Sequence, residues 1–213
     1  MLGAGGLARR VVVATASHYQ AVERQYRYPS ELNVQHKLTN QRTATGGAAA
    51  VIAADGGGPR ISRVTFGRVM DWGVKDVNHM GAAMAPAAMD TLLRHFQDTN
   101  TTPADYDLIL TGDLARYGSK LFRELVGRAG VTLGGKHMDA GAAMYSDEQL
   151  PGAGASGSVT SAAALLGYVL KEMAQGRLRR VLALATGCLH NALTANQGDS
   201  CPGVCHAVVL ENA

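Results

Sequence analysis

Residues 165–187, LLGYVLKEMAQGRLRRVLALATG, carry a helix and a strand in immediate succession, and their reading decides the fold class. Leu165, Leu166, Val169, Leu170 and Met173 recur at three- and four-residue spacing, which places them on one helical face. Arg177, Arg179 and Arg180 follow and solvate the helix end, and Val181 to Thr186 is then a short apolar run suited to a buried strand. Working outward, Val11 to Ala16, Gly47 to Ala54, Ile61 to Met70, Asp107 to Thr111 and Val204 to Leu210 read as further strands. The turn signal Asp55-Gly56-Gly57-Gly58-Pro59 between the second and third of these predicts an antiparallel hairpin or meander. Met84, Ala88, Leu92 and Phe96 are spaced by four, as are Leu121 and Leu125, so both stretches are predicted to be helical. Proline is best tolerated in a first helical turn, so Pro86 sets the expected start of its helix near Ala85. Strands alternating with helices predict an α/β protein, a mixed sheet covered by helices on both faces.

Composition narrows the function classes. With 213 residues the chain can bury one well-developed core, and 46% hydrophobic with 17% charged residues is far from a disordered composition. A formal net charge of +3, with the basic residues scattered, gives no footprint for nucleic acid. At 5% aromatic residues there is no stacking platform for single strands either. No apolar run reaches the roughly 18 residues that cross a bilayer, and the N-terminus lacks a charged-then-apolar signal pattern. Three widely spaced cysteines argue against a disulfide framework and fit a reducing compartment. Twenty-six glycines, interleaved with Val, Ile and Leu, point to closely packed helices and strands.

Several motifs bear on chemistry. Gly152 to Gly157 satisfies G-x-G-x-x-G, but the preceding Tyr145 to Pro151 is polar and no acidic residue ends the next strand. A turn that lets a helix approach the sheet is the preferred reading. Cys201 and Cys205 beside His206, with Cys188 and His190 upstream, match no common zinc spacing. There is no G-x-S-x-G elbow and no H-E-x-x-H. Two polar segments at strand ends are better candidates for a ligand site: residues 17–29, with His18 and Arg24, and residues 71–81, with Asp71, Lys75, Asn78 and Met80. Thr111-Gly112-Asp113, at the end of the most apolar strand, is a third. Each is equally readable as a solvated connector.

Five runs of the chain resemble the stage V sporulation protein AD family: SHYQAVERQYRYPSE, MDWGVKDVNHMGAAMAPAAMDTLLRHFQDT, DYDLILTGDLARYG, LLGYVLKEMAQGRLRRVLALATG and QGDSCPGVCHAVVLE. The resemblance implies a thiolase-like fold, a layered α-β-α-β-α sandwich of two similar halves with mixed sheets. It also implies a role in sporulation, the binding of dipicolinic acid for uptake into the forespore, and no resident cofactor. Against that pattern the first half is incomplete: residues 1–58 read as a remnant of the N-terminal half and 59–213 as the C-terminal half. Met1 to Ala8 reads as the tail of the first half's central helix, and we infer a fragment, an alternative start or a truncated gene product. The segment bearing the thiolase-type nucleophile cysteine has no counterpart here. The condensing enzymes' His would fall near Gly112-Asp113 and their Asn in the loop Gly152 to Gly157, and neither residue is present.

The resemblance therefore implies a binding protein that is not an enzyme. A flat dicarboxylate asks for cationic or N–H donors around an apolar slot. Arg24, Lys75, Asn78 and His18 are the expected donors, and Met80 and Met84 the expected slot lining. Asp71, Asp76 and Asp113 would orient those cations or hold calcium with the ligand. The alternative is a thiolase-like acyltransferase acting on acyl-CoA through Cys201, since Cys201-Pro202-Gly203 resembles the C-x-G segment of thiolases. A general acid without nucleophile and oxyanion donors contributes little, which favours the binding role. Expected partners are other stage V sporulation membrane proteins and a second copy of the chain. The expected location is cytoplasmic or peripheral at the spore inner membrane.

Overall fold

The computed structural model describes residues 8–19, 37–149 and 152–212. In chain order the main elements are β1 (Arg10–Ser17), β2 (Gln41–Thr43), β3 (Gly46–Ala53), β4 (Arg60–Thr65), α1 (Met80–Thr99), β5 (Leu108–Thr111) and α2 (Ala115–Arg128). They continue as β6 (His137–Asp139), α3 (Ala140–Ala143), β7 (Gly154–Ser156), α4 (Ser158–Ala163), α5 (Leu170–Ala174), β8 (Arg180–Cys188), α6 (Ala192–Asn196) and β9 (Gly203–Glu211). A π-helical stretch, Ala164–Val169, joins α4 to α5, with the Leu170 N–H bonded to the Leu165 carbonyl.

Five strands form one mixed sheet in the order β4-β9-β8-β5-β6. β9 is antiparallel to both neighbours, while β8, β5 and β6 run parallel. Two smaller sheets accompany it: β1 paired antiparallel with β3, and β2 paired parallel with β7. On one face of the large sheet α1 and α2 bury Met84, Leu92, Phe96, Phe122 and Val126 against Ile109, Leu182, Leu184 and Val209. On the other, Val169 and Met173 pack on Leu110, Val181 and Leu210. Burying a side chain of this size contributes about 1.5–3 kcal/mol, so these two clusters fix how the helices sit on the sheet. The mixed sheet with helices on both faces is the architecture that the alternation of elements predicts.

Three local expectations are corrected. Residues 46–53 and 60–65 are strands but not a hairpin, because β3 pairs with β1 and β4 with β9. The Asp55 to Pro59 turn instead carries the chain from one sheet to another. α1 begins at Met80, not near Ala85, and Pro86 lies inside it. An interior proline costs about 3 kcal/mol. Here the first turn is capped by His79, whose Nδ1 accepts from the Ala82 N–H, and residues 83–88 are all buried, which offsets that cost. Finally, Gly154–Ser156 is a strand within the glycine motif, where a turn was expected.

Close packing through glycine recurs at one decisive place. α1 and α2 meet backbone to backbone at Gly81 and Gly118, where a Cβ on Gly118 would lie 2.6 Å from the Gly81 Cα. Nothing there is a flexible side chain that could yield. Gly118→Ala is therefore expected to destabilise the chain by roughly 2–3 kcal/mol through overpacking. Gly127, in the same helix, has nothing within 4 Å of its Cβ position, and Gly127→Ala is expected to stabilise by about 0.5–1 kcal/mol. Urea denaturation of the two variants checks the contrast, and equal responses would mean that the helices are not in contact there.

Candidate functional site

The carboxyl ends of the parallel strands β5 and β6 are closed by a buried carboxylate. Asp139, the last residue of β6, accepts hydrogen bonds from Thr111 Oγ1 (2.7 Å) and from the backbone N–H groups of Leu114 (3.0 Å), Ala115 (2.8 Å) and Ala142 (2.9 Å). It thus caps the start of α2 and of α3 together. Ala115 adopts φ 56°, a left-handed conformation costly for a residue with a Cβ, and its N–H is held by this carboxylate. Burial drives the Asp139 carboxyl up to about 7, with Asp113 nearby reinforcing the rise and the bonds from Thr111, Ala142 and Ala115 opposing it. Thr111 Oγ1 also meets His137 Nε2 at 2.9 Å, and burial pushes His137 down to about 4, so that it is neutral.

Asp113, expected from the sequence as a ligand residue, is a buried joint between sheets. Its Oδ1 accepts from Thr186 Oγ1 (2.9 Å) on β8 and its Oδ2 from the Gly157 N–H (3.1 Å) after β7. Its own N–H donates to Thr186 Oγ1 (3.1 Å), and its carbonyl accepts from Gln41 Nε2 on β2. Burial raises its carboxyl to about 6. No Lys or Arg pairs with it among the described residues.

The loop of residues 70–79 is tied to the residues that lead into β9. Met70 bridges Gly203 through paired backbone bonds of 2.8 Å, and the Cys201 N–H donates to the Val74 carbonyl (2.7 Å). Asp71 accepts from Ser200 Oγ (2.6 Å) and from the Gly73 N–H (2.9 Å), which lowers its carboxyl below the usual range. Asp76 accepts from the Asn78 N–H (3.0 Å), Asn78 Nδ2 (3.1 Å) and Lys37 Nζ (3.3 Å). Asn78 is thus tied into a turn by its neighbour. Lys75 is exposed and its ammonium makes no hydrogen bond or ion pair among the described residues. Met80 opens α1 and is half-buried, whereas Met84 is fully buried in the main core with no surface for a slot. His18 is exposed at the end of β1, and Arg24 lies outside the described residues. Asp71, Lys75, Asp76, Asn78 and Met80 thus share one segment, whereas Met84 is buried in the main core and Asp113 between the sheets.

All three thiols are sheltered. Cys205 is fully buried and Cys201 is buried; Cys188 is partly exposed. Burial pushes Cys188 and Cys205 up to about 12, and raises Cys201 as well, with Asp71 and Asp76 adding to the effect. At neutral pH these groups are protonated and poorly nucleophilic. Among the described residues, no group of three or more His, Cys, Asp or Glu is placed to hold a metal ion. Sequence reading missed Asp139 and Thr186. The signal for Asp139 was an aspartate directly before the small-residue run Ala140-Gly141-Ala142-Ala143, which is an N-cap pattern.

A carboxyl raised on folding is stabilising when protonated and loses that contribution as pH climbs toward its folded value. For Asp113 the window runs from about 4 to about 6 and the loss is roughly 2–3 kcal/mol. His95 and His137, both lowered to about 4 by burial, slope the other way over a similar range, so the wild-type profile alone mixes the two. The difference between wild type and Asp113→Asn isolates the carboxyl. The substitution is expected to cost more at pH 4.5 than at pH 7.5 in urea denaturation. A cost that grows with pH would mean that Thr186 and Gly157 keep Asp113 ionised.

Comparison with known proteins places this geometry. Crystal structures of 3-oxoacyl-[acyl-carrier-protein] synthase III from Aquifex aeolicus VF5 and of OleA from Xanthomonas campestris superpose with TM-scores of 0.56 and 0.57. They are 12% and 16% identical in sequence, cover 99% and 98% of this chain, and are themselves covered over 60% and 59% of their lengths. These likenesses show a thiolase-like fold. Stage V sporulation protein AD of Bacillus subtilis (strain 168) is 42% identical over 209 residues, which is 98% of this chain and 62% of that protein. The chain thus spans somewhat less than two thirds of the curated relative's length. The family model described as stage V sporulation protein AD matches residues 1–211, and the chain belongs to that family.

Proposed function

We propose that the chain is a non-catalytic binding protein of sporulation that takes up dipicolinic acid, alone or as its calcium chelate, at the segment of residues 71–80. The observation that supports this most directly is Lys75, an exposed cation without a carboxylate partner among the described residues, on a loop whose neighbours are pinned. Asp71 is held by Ser200, Val74 by Cys201 and Asp76 by Asn78 and Lys37, so Lys75 is presented from a braced frame. The segment leads directly into α1, a 20-residue helix with no acidic residue in its first turn, whose dipole favours an incoming carboxylate. His18 and Arg24 would supply further positive charge from the segment after β1. Delivery into the forespore would run through membrane partners; no helix of the described residues is long and apolar enough to cross a membrane.

The protonated state of the thiols supports binding over acyl transfer. A transfer reaction through Cys201 would need a thiolate, and burial beside Asp71 and Asp76 disfavours one. Calorimetric titration with dipicolinate, with and without calcium, tests the reading. Saturable binding is expected, weakened about tenfold or more in Lys75→Ala and in Arg24→Ala, the loss of one charge-assisted bond. A folded chain that takes up no dipicolinate in either condition would overturn it.

A further inference from the structure

Two of the three thiols share one side of the main sheet, at the carboxyl end of β8. In the antiparallel pairing of β8 with β9, Cys188 stands opposite Gly203. The Leu189 N–H donates to the Pro202 carbonyl (2.9 Å), so the pairing continues one step beyond the strands. Alternate residues of a strand point the same way, which makes Cys201, two residues before Gly203, the diagonal neighbour of Cys188 on the same face. No side chain stands between them. A Cβ on Gly203 would lie 2.5 Å from the Ala83 carbonyl oxygen, so α1 leaves room there for hydrogen alone. Burial, then Asp113 and Cys201, oppose ionisation of the Cys188 thiol, and a charge on Cys201 acts in this way only from nearby. Cys205, on the opposite diagonal, is fully buried, and its thiol donates to the His206 carbonyl (3.7 Å).

The diagonal spacing decides what the pair can do. Diagonal neighbours across an antiparallel pair lie about 7–8 Å apart. That exceeds the Cα separation of roughly 6.8 Å at which a disulfide closes. One ion held in line by two sulfurs fits better, since bonds of about 2.3 Å keep the sulfurs about 4.6 Å apart. Zinc is not that ion. It takes four ligands, and among the described residues no third His, Cys, Asp or Glu is placed to join the pair. Soft thiolate ligands select cuprous ion, which is satisfied by two of them. The protonated state of the free thiols is no obstacle, because a coordinating thiol is deprotonated outright.

We propose that Cys188 and Cys201 form a two-coordinate site for a cuprous ion, reached from the exposed side of Cys188. Each sulfur loses its proton to solvent and gives a lone pair to the ion, so copper stays monovalent and the complex carries one negative charge. Asp71 and Asp76 act against that charge at Cys201, which sets the affinity below that of a site surrounded by cations. The site does not depend on dipicolinate.

The test is titration of the reduced 213-residue chain, without oxygen, with cuprous ion delivered from a coloured cuprous chelator. One ion per chain is expected to leave the chelator, counted by native mass spectrometry and seen as thiolate-to-copper charge-transfer absorption. Cys188→Ser and Cys201→Ser are each expected to weaken retention by roughly a hundredfold, one sulfur bond of two being lost, whereas Cys205→Ser keeps it. Should either of the first two variants fail to fold, X-ray absorption at the copper edge of the loaded wild type gives a second reading, with sulfur neighbours alone expected. A folded chain that leaves all copper with the chelator, retention unchanged in Cys188→Ser or Cys201→Ser, or nitrogen or oxygen neighbours in the loaded chain would each overturn the proposal.

Discussion

A carboxylate buried at the end of a parallel sheet must be surrounded by donors or take up a proton, and in this chain the shape of the site rests on that choice. Asp139 gathers Thr111, Leu114, Ala115 and Ala142 around two oxygens, and so sets where α2 and α3 begin. Full desolvation of an ion costs several kcal/mol, which four donors only partly return. The remainder is visible as the raised affinity of the carboxyl for a proton. Asp113 applies the same device one step outward, joining β5 to β8 and to the residue that starts α4. The charge of Asp113 adds to the rise at Asp139, and no Lys or Arg among the described residues is paired with either carboxyl.

The consequence for chemistry is an interior whose titratable groups are shifted by burial without a compensating positive charge. His137 is held neutral, the thiols keep their protons, and Asp113 and Asp139 give theirs up at higher pH than exposed carboxylates do. The exposed cation Lys75 stands on the loop that also carries Asp71 and Asp76.

Much of the fold was legible because apolar periodicity and packing agree. Met84, Ala88, Leu92 and Phe96 are buried as their spacing implies, and the strands at 108–111, 180–188 and 203–211 lie within the runs read as strands or a residue or two beyond them. The family itself could be read from ordered blocks of sequence along the chain. What failed was long-range. Nothing local says that residues 46–53 pair backward with β1 while residues 60–65 pair with the last strand. Pro86 misled because its cost is local and the burial that outweighs it is tertiary. At the site, Asp113 and Met84 were singled out for chemistry by type and position, but side-chain direction decided otherwise. Asp139, flanked by small residues, carried only the faint signal of a helix cap.

The π-helical stretch Ala164–Val169 has a meaning beyond packing. A helix turn that holds one more residue than usual is the trace an inserted residue leaves when a helix absorbs it without lengthening the path between its ends. Deleting one residue there would restore a regular α-helix and leave the turns on either side in place, with Met173 still against Val181 and Leu210. A change of length in this segment is therefore absorbed where it occurs, and the strand that the helix feeds keeps its register.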